Sequence, residues 1–161
     1  MKKLGMVFFI CPGNVVNIID NSLNQSGIND VQVLVTKMVP IINNKTIQVF
    51  SSDETSVTQV AGIIDDTLGT RCTYFDEMDE RMNCKSTLGY AERIDEIIGW
   101  LERDTEVIIF AVPNKFTSVL ANNFISKHSS EGIKAKEVYN CHALCCNTAS
   151  EPLLRVLTPY D

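Results

Sequence analysis

Short apolar runs alternate along this chain with amphipathic helical patterns, and this alternation constrains the fold more than any other feature. Parallel strands need a crossover connection, usually a helix, so the pattern is typical of an α/β domain. The predicted strands are Leu4 to Ile10, Thr46 to Phe50, Glu106 to Val112, Lys136 to Cys145, and a weaker segment from Arg71 to Phe75. We therefore expect a single three-layer α/β domain, with a mostly parallel sheet flanked by helices.

Four segments between these strands carry apolar residues three or four positions apart, which is the spacing of one helix face. The stripes expected to face the core are Val31, Leu34, Val35, Met38 and Ile42; Val57, Val60, Ala61, Ile64 and Leu68; Leu88, Ala91, Ile94, Ile98 and Leu101; and Phe116, Val119, Leu120 and Phe124. Pro40 should kink the first helix or end it early. Ser52 or Asp53 is the expected N-cap of the second helix, and Gly69 is its expected C-cap.

Length and charge limit the function classes. A chain of 161 residues without a linker, a repeat or a low-complexity tract predicts one domain over residues 1–161. Its 14 Lys and Arg residues against 20 Asp and Glu residues give a net charge of −6. Nucleic-acid affinity comes largely from cationic contacts to phosphates, so we expect no nucleic-acid partner.

The amino-terminal segment has some features of a secretion signal. Lys2 and Lys3 precede a short apolar run, and Cys11 follows it as in a lipoprotein. A signal peptide needs small residues before its cleavage point, whereas Phe8 and Phe9 are bulky. No other run approaches the roughly 18 apolar residues of a membrane span. We expect a buried first strand, a cytoplasmic protein and no membrane association.

Six cysteines raise the questions of disulfide bonding and metal binding. In a reducing compartment we expect free thiols. The tightest group, Cys141-His142 followed by Cys145-Cys146, consists of the usual zinc ligands. In an extended segment, however, Cys141 and Cys145 face one way while His142 and Cys146 face the other. We therefore interpret them as buried strand residues and expect no metal site and no cofactor.

Ligands of open α/β sheets bind at the carboxyl ends of the strands, and two spaced motifs stand near these ends in this sequence. The motifs are Asp20-x-x-Leu23-x-x-x-Gly27 before the first helix, and Ser51-Ser52 followed by Gln59-x-Ala61-x-x-Ile64 after the second strand. This framework resembles that of the histidine phosphatase superfamily, the phosphoglycerate-mutase-like fold, over the whole chain. The length is similar to that of its short branch, which includes bacterial phosphohistidine phosphatases.

The resemblance implies a histidine nucleophile, two arginines and a second histidine that hold the phosphoryl group, and a carboxylate proton donor. Where the family has Arg-His-Gly after its first strand, this chain has Cys11-Pro12-Gly13. A thiol thus replaces the first arginine, and a ring without a side-chain lone pair replaces the nucleophile. Of these three residues, only the glycine matches the family.

The remaining positions depart from the family in a similar way. Ser56 stands where the second arginine is expected, and it keeps a hydroxyl group but no positive charge. The second His-Gly falls on Val112-Pro113, and neither His128 nor His142 lies close enough in sequence to replace its histidine.

Only the acid of the family's site has a match in this chain. The segment Asp76-Glu77-Met78-Asp79-Glu80 resembles the family's acidic loop, with Glu80 as the closest match and Glu77 as the second. A solvated acidic turn is the alternative interpretation of this segment.

These departures predict the loss of the family's chemistry, since phosphoryl transfer depends on positioning and on charge neutralisation. We expect a catalytically inactive protein with a binding or regulatory role, whose partner is an unknown protein or small-molecule ligand. A diverged phosphatase or hydrolase with a rebuilt site is the alternative, and a mainly structural protein is a third interpretation. Cys11 is the candidate nucleophile of such an enzyme, although no arginine of a Cys-(x)5-Arg loop follows it. Relatives of this fold often self-associate, which leaves a homo-oligomer open.

Overall fold

The apolar runs assemble into one six-stranded sheet with helices on both faces. The computed structural model describes residues 3–75, 87–128, 134–138, 140–148 and 153–160. The strands are β1 (Met6–Ile10), β2 (Ile47–Ser51), β3 (Thr73–Tyr74), β4 (Val107–Ala111), β5 (Ala143–Asn147) and β6 (Leu154–Leu157). The helices within the described ranges are α1 (Gln25–Ile42), α2 (Thr55–Leu68), α3 (Thr87–Leu101) and α4 (Asn114–His128).

The strand order is β3-β2-β4-β1-β5-β6. β1, β2, β3 and β4 pair in parallel, whereas β5 is antiparallel to both β1 and β6. In the central strand β1, Phe8 lies between Ile109 of β4 and Cys145 of β5. The predicted α/β class with a mostly parallel, helix-flanked sheet is confirmed.

Two apolar layers separate the sheet from its helices. Alternate residues of β1 face opposite sides, as the pleat of a strand requires. Phe8 and Ile10 pack with α1 and α2, while Val7 and Phe9 pack with α3 and α4. The three predicted layers are therefore present.

α1 begins where Asn24 caps it and continues through Pro40. The Asn24 side-chain oxygen accepts a hydrogen bond from the Gly27 amide at 2.8 Å. The expectation that Pro40 ends the helix early was wrong, because the helix runs to Ile42, and the expected kink stays a prediction. Pro40 is exposed and lies in the last turn, so water can hydrate the carbonyl group that loses its helical donor.

α2 begins later than the sequence suggests. Its N-cap is Glu54 and not Ser52 or Asp53, because the Ser52 amide still donates to the Ala111 carbonyl at 3.1 Å and extends the sheet. Its predicted C-cap, Gly69, is confirmed by a φ of 69° and a hydrogen bond from its amide to the helix.

Two residues predicted for the core are exposed. Leu88 is 70% and Val119 is 41% exposed. The buried stripe of α3 includes Tyr90 and Ile94, and Leu88 lies two positions before Tyr90, about 200° around the helix. Val119 similarly lies one position, about 100°, from the buried Leu120.

The last predicted strand is displaced. The sequence placed it from Lys136 to Cys145, whereas β5 spans Ala143–Asn147, where it pairs with β1. The earlier part includes the exposed Lys136, and the pairing with β1 ends at Ala143. β6 was missed, since only Leu157 of its four residues is buried and an edge strand shows a weak apolar pattern.

No helix of the described residues has the length and the apolar character to cross a membrane.

Candidate functional site

The carboxyl ends of β1, β4 and β2 lie side by side and bring together segments that are far apart in sequence. The Val112 amide donates to the Ile10 carbonyl at 3.0 Å, and the Ser52 amide donates to the Ala111 carbonyl at 3.1 Å. The segment Cys11-Pro12-Gly13 therefore emerges next to Val112-Pro113. This edge is where ligands of open α/β sheets bind.

Residues of the two framework motifs hold the segment after β1 in place. The Leu23 amide donates to the Gln59 side-chain oxygen of α2 at 2.7 Å. Gly27 lies against the backbone of Asn14, where a Cβ atom would overlap the Asn14 carbonyl oxygen. Gly27 thus permits the close approach between the start of α1 and the segment that follows the site.

The residues at the predicted site positions are neutral and mostly buried. Cys11 and Val112 are fully buried, and Ser56 is 2% exposed. Pro113 is buried, while Pro12 and Gly13 are half-buried. The candidate acids Glu80 and Glu77 lie outside the described residues, so their position relative to Cys11 stays a prediction.

His142 is the site residue that sequence reasoning missed. It is fully buried, and its Nδ1 atom lies 3.2 Å from the Cys11 Sγ atom. The Cys11 amide donates to the His142 carbonyl at 3.1 Å, because β5 runs antiparallel beside β1. Only the pairing of these two strands brings His142 to the site, and no local signal in the sequence predicts that pairing.

The hydrogen bonds of His142 define where its proton lies. Nδ1 is 2.6 Å from the Asn140 carbonyl oxygen, which can only accept, so Nδ1 carries a hydrogen. Nε2 is then the acceptor for the Thr117 hydroxyl group of α4 at 2.8 Å. Burial lowers the pKa of His142, so the ring is neutral near pH 7.

The Cys11 thiol belongs to the same network. The Asn114 side-chain amide donates to Sγ at 3.4 Å and to the Asn140 carbonyl at 3.3 Å. Burial raises the pKa of Cys11 to about 12, more than these hydrogen bonds lower it. We call this group the Cys11–His142 cluster: Cys11, Asn114, Thr117, Asn140 and His142. All five groups are neutral; Cys11, Thr117 and His142 are buried, Asn114 is half-buried and Asn140 is exposed.

Charge near this edge of the sheet is partly negative. Tyr90 of α3 stacks on Phe116 with ring centroids 4.3 Å apart. Its pKa is raised to about 12, first by burial and then by the carboxylates of Glu54 and Asp53. Lys115 is exposed, and its ammonium group lies over the Phe116 ring.

The cysteine side chains in and just before β5 divide between the two faces of the sheet. Cys141 and Cys145 pack with the α1 and α2 layer, whereas Cys146 packs with the opposite layer, as predicted. Within the described residues, no group of three or more potential ligands is arranged to hold a metal ion. The described cysteines are free thiols: Cys11, Cys72, Cys141, Cys145 and Cys146.

Several solved structures share this architecture. A protein assigned as the phosphohistidine phosphatase SixA from Agrobacterium tumefaciens is 12% identical over 89% of this chain and 92% of its own, with a TM-score of 0.63. A protein histidine phosphatase SixA complexed with tungstate is 8% identical over 96% of this chain and 97% of its own, with a TM-score of 0.66. An Escherichia coli protein assigned as an α-ribazole-5′-phosphate phosphatase is 14% identical over 96% of both chains, with a TM-score of 0.61.

Sequence comparison adds nothing to this result, since no protein-family model and no curated protein matches the chain. At such low identities the structural similarity shows the fold alone. The predicted phosphoglycerate-mutase-like fold is confirmed.

Proposed function

We propose that this chain, which has the fold of the histidine phosphatases, is catalytically inactive and serves as a binding or regulatory protein. The observation that carries the proposal is Pro12, which stands where the resemblance places the histidine nucleophile. Its ring nitrogen belongs to the peptide bond and has no lone pair that can attack a phosphoryl group. The side chain at position 12 therefore offers no nucleophilic atom to which a phosphoryl group can be transferred.

Charge supports the same proposal. In the family, as the resemblance implies, arginines and histidines neutralise the transferred group through charge-assisted hydrogen bonds. Cys11, Ser56 and Val112 stand at three of these positions, and all three are neutral and at most 2% exposed. Asp53 and Glu54 add negative charge near Tyr90. These surroundings disfavour a phosphate ester and favour a protein, or an uncharged or cationic small molecule.

The alternative is a diverged phosphatase or hydrolase with a rebuilt site, and the contact between Cys11 and His142 is the observation that favours it. A Cys-His pair is catalytic when the imidazole removes the thiol proton. Here the Nδ1 atom nearest Sγ already carries the hydrogen donated to Asn140 and has no free lone pair. A thiolate is also disfavoured by burial, which raises the pKa of Cys11 to about 12. The network therefore favours the inactive protein.

Turnover measurements on the purified full chain test the proposal. We expect no hydrolysis of p-nitrophenyl phosphate and no dephosphorylation of a phosphohistidine protein above the buffer rate. The matched variants are Cys11→Ser and Cys72→Ser, which remove a thiol inside and outside the Cys11–His142 cluster. Turnover that Cys11→Ser abolishes and Cys72→Ser retains would establish the cysteine enzyme. Turnover that survives in both variants would also contradict the inactive protein and would point to another nucleophile.

A further inference from the structure

The segment between β1 and α1 exposes two adjacent isoleucines. Ile18 is 99% and Ile19 is 97% exposed. Side chains that lie so fully in water contribute little to the stability of the fold, whereas their burial in a complex would be favourable. We call residues 16–22 the isoleucine tip.

Hydrogen bonds hold the isoleucine tip in this shape. The Val16 amide donates to the Ser22 carbonyl at 2.8 Å and closes its base. The Asn17 side-chain oxygen accepts from the Ile19 amide at 2.9 Å and from the Asp20 amide at 2.7 Å. The Asp20 carboxylate in turn accepts from the Ser22 amide at 3.1 Å. A segment that is ordered before binding loses less conformational entropy when it binds.

The isoleucine tip is also tied to the candidate site. It follows Cys11-Pro12-Gly13 in the chain, and Val15 and Leu23 pair at its base. The Leu23 amide bonds to Gln59 of α2, so the tip projects from the same edge of the sheet. An element that binds a partner here would place that partner beside the Cys11–His142 cluster.

We propose that the isoleucine tip inserts into an apolar pocket of a partner protein whose rim is basic. This inference rests on the proposed function, since it names the class of partner for the binding role. Interfaces are commonly held by a few side chains that fill a pocket, with a polar rim around them. Ile18 and Ile19 are the two side chains that would fill the pocket. The negatively charged carboxylate of Asp20 beside them favours a rim with basic residues.

Charge argues against a lipid surface as the occupant. Segments that lie in a membrane interface combine apolar side chains with Lys and Arg, which are attracted to anionic lipids. Residues 4–36 contain no Lys and no Arg. Asp20 is exposed, and its hydrogen bonds with Ser22 lower its pKa, so it is ionised at neutral pH. An anionic membrane would repel this tip.

A second copy of the chain is disfavoured as the occupant for reasons of charge. Each copy carries a net charge of −6, so two copies repel each other. Contact between two tips would also bring two Asp20 carboxylates together.

Site-specific cross-linking in cells of the source organism tests the proposal. The full chain carries a benzoylphenylalanine residue at position 18 or, as a control, at the position of Leu88 on α3, which is also an exposed apolar residue. We expect a protein that cross-links to position 18 and not to position 88. That protein, once purified, should bind the wild-type chain, and the Ile18→Ser/Ile19→Ser variant should bind at least about tenfold more weakly. Leu88→Ser should bind like the wild type.

Four results would overturn the proposal. The first is the lack of an adduct specific to position 18, and the second is an equal loss of affinity in the Ile18→Ser/Ile19→Ser and Leu88→Ser variants. The third is binding of the wild type, but not of the double variant, to vesicles of phosphatidylcholine and phosphatidylserine. The fourth is dimerisation in sedimentation runs that the double variant loses. Phosphatase activity in the same protein preparations would contradict the proposed function. If the preparations have no such activity and the isoleucine tip binds no partner, only this inference is contradicted.

Discussion

The Nδ1 atom of His142 lies 3.2 Å from the Cys11 thiol, although the two residues are 131 positions apart in the chain. The contact joins the end of β1 to the residue that precedes β5. Because the ring is fully buried and both of its nitrogens have partners, it contributes to stability through packing and hydrogen bonding together.

His142→Ala should lower the free energy of unfolding by about 2–3 kcal/mol, because it leaves a cavity and removes the partner of the Thr117 hydroxyl group. Urea denaturation followed by circular dichroism measures the change. His128→Ala is the matched control, since His128 is exposed at the end of α4 and should change stability by less than about 1 kcal/mol. Equal losses in the two variants would contradict the role assigned to His142.

Stability should fall as the pH is lowered below the ordinary histidine pKa, in part because of His142. Burial lowers the pKa of His142 in the folded state from the usual 6.5. As the pH falls, His142 is therefore protonated in the unfolded chain at a higher pH than in the folded protein. The contribution of His142 is therefore complete above about pH 6.5 and is lost as the pH falls through the folded-state pKa. The difference in unfolding free energy between the wild type and His142→Ala should shrink between about pH 7.5 and pH 5. A constant difference would show that the ring does not titrate on unfolding.

Among the described cysteines, Cys72 should react first with iodoacetamide. It is half-buried, whereas the others are at most 1% exposed: Cys11, Cys141, Cys145 and Cys146. Peptide mass spectrometry after brief alkylation at about pH 8 gives the order of reaction. All six thiols should react after unfolding without reductant. A Cys11 that reacts before Cys72 would favour the enzyme alternative.

Gly27→Ala should destabilise the protein by about 1–3 kcal/mol, although alanine normally favours a helix, because the new Cβ atom overlaps the Asn14 carbonyl oxygen. Gly62→Ala in α2 is the control, since no described atom lies within 4 Å of its new Cβ atom. This second variant should gain up to about 1 kcal/mol. Thermal unfolding of both variants tests the pair, and a stable Gly27→Ala would rule out the close approach.

Inorganic phosphate should not bind at the carboxyl ends of the strands. Hydrogen bonds from cationic side chains to an anion contribute about 1.5–3 kcal/mol each, and Cys11, Ser56 and Val112 carry no positive charge with which to make them. Calorimetric titration with phosphate at millimolar concentration should give only heats of dilution. A saturable binding heat that the Ser56→Ala substitution removes would contradict this expectation and would favour the diverged enzyme.

The parts of the fold that the sequence predicts depend on neighbours in the chain. The run from Val7 to Ile10 and the stop at Gly69 are local patterns, and both are found in the structure. The place of His142 depends instead on which strand pairs with β1. The residues of β5 contain no local signal that identifies β1 as the partner of this strand. The exposed Leu88 illustrates a second limit, since an apolar residue near a stripe is indistinguishable in sequence from one within it.

The central position of β1 has a consequence for the folding of the chain. In the described part of the chain β2 and β3 follow β1, yet the two partners of β1 are the later strands β4 and β5, so β1 pairs only after long loops have closed. Such non-local pairing slows folding and leaves an apolar strand with two open edges during synthesis. In the newly made chain, Phe8 and Phe9 therefore lie in a segment at risk of aggregation and open to chaperones, until β4 and β5 pair with its edges and the helices cover its faces.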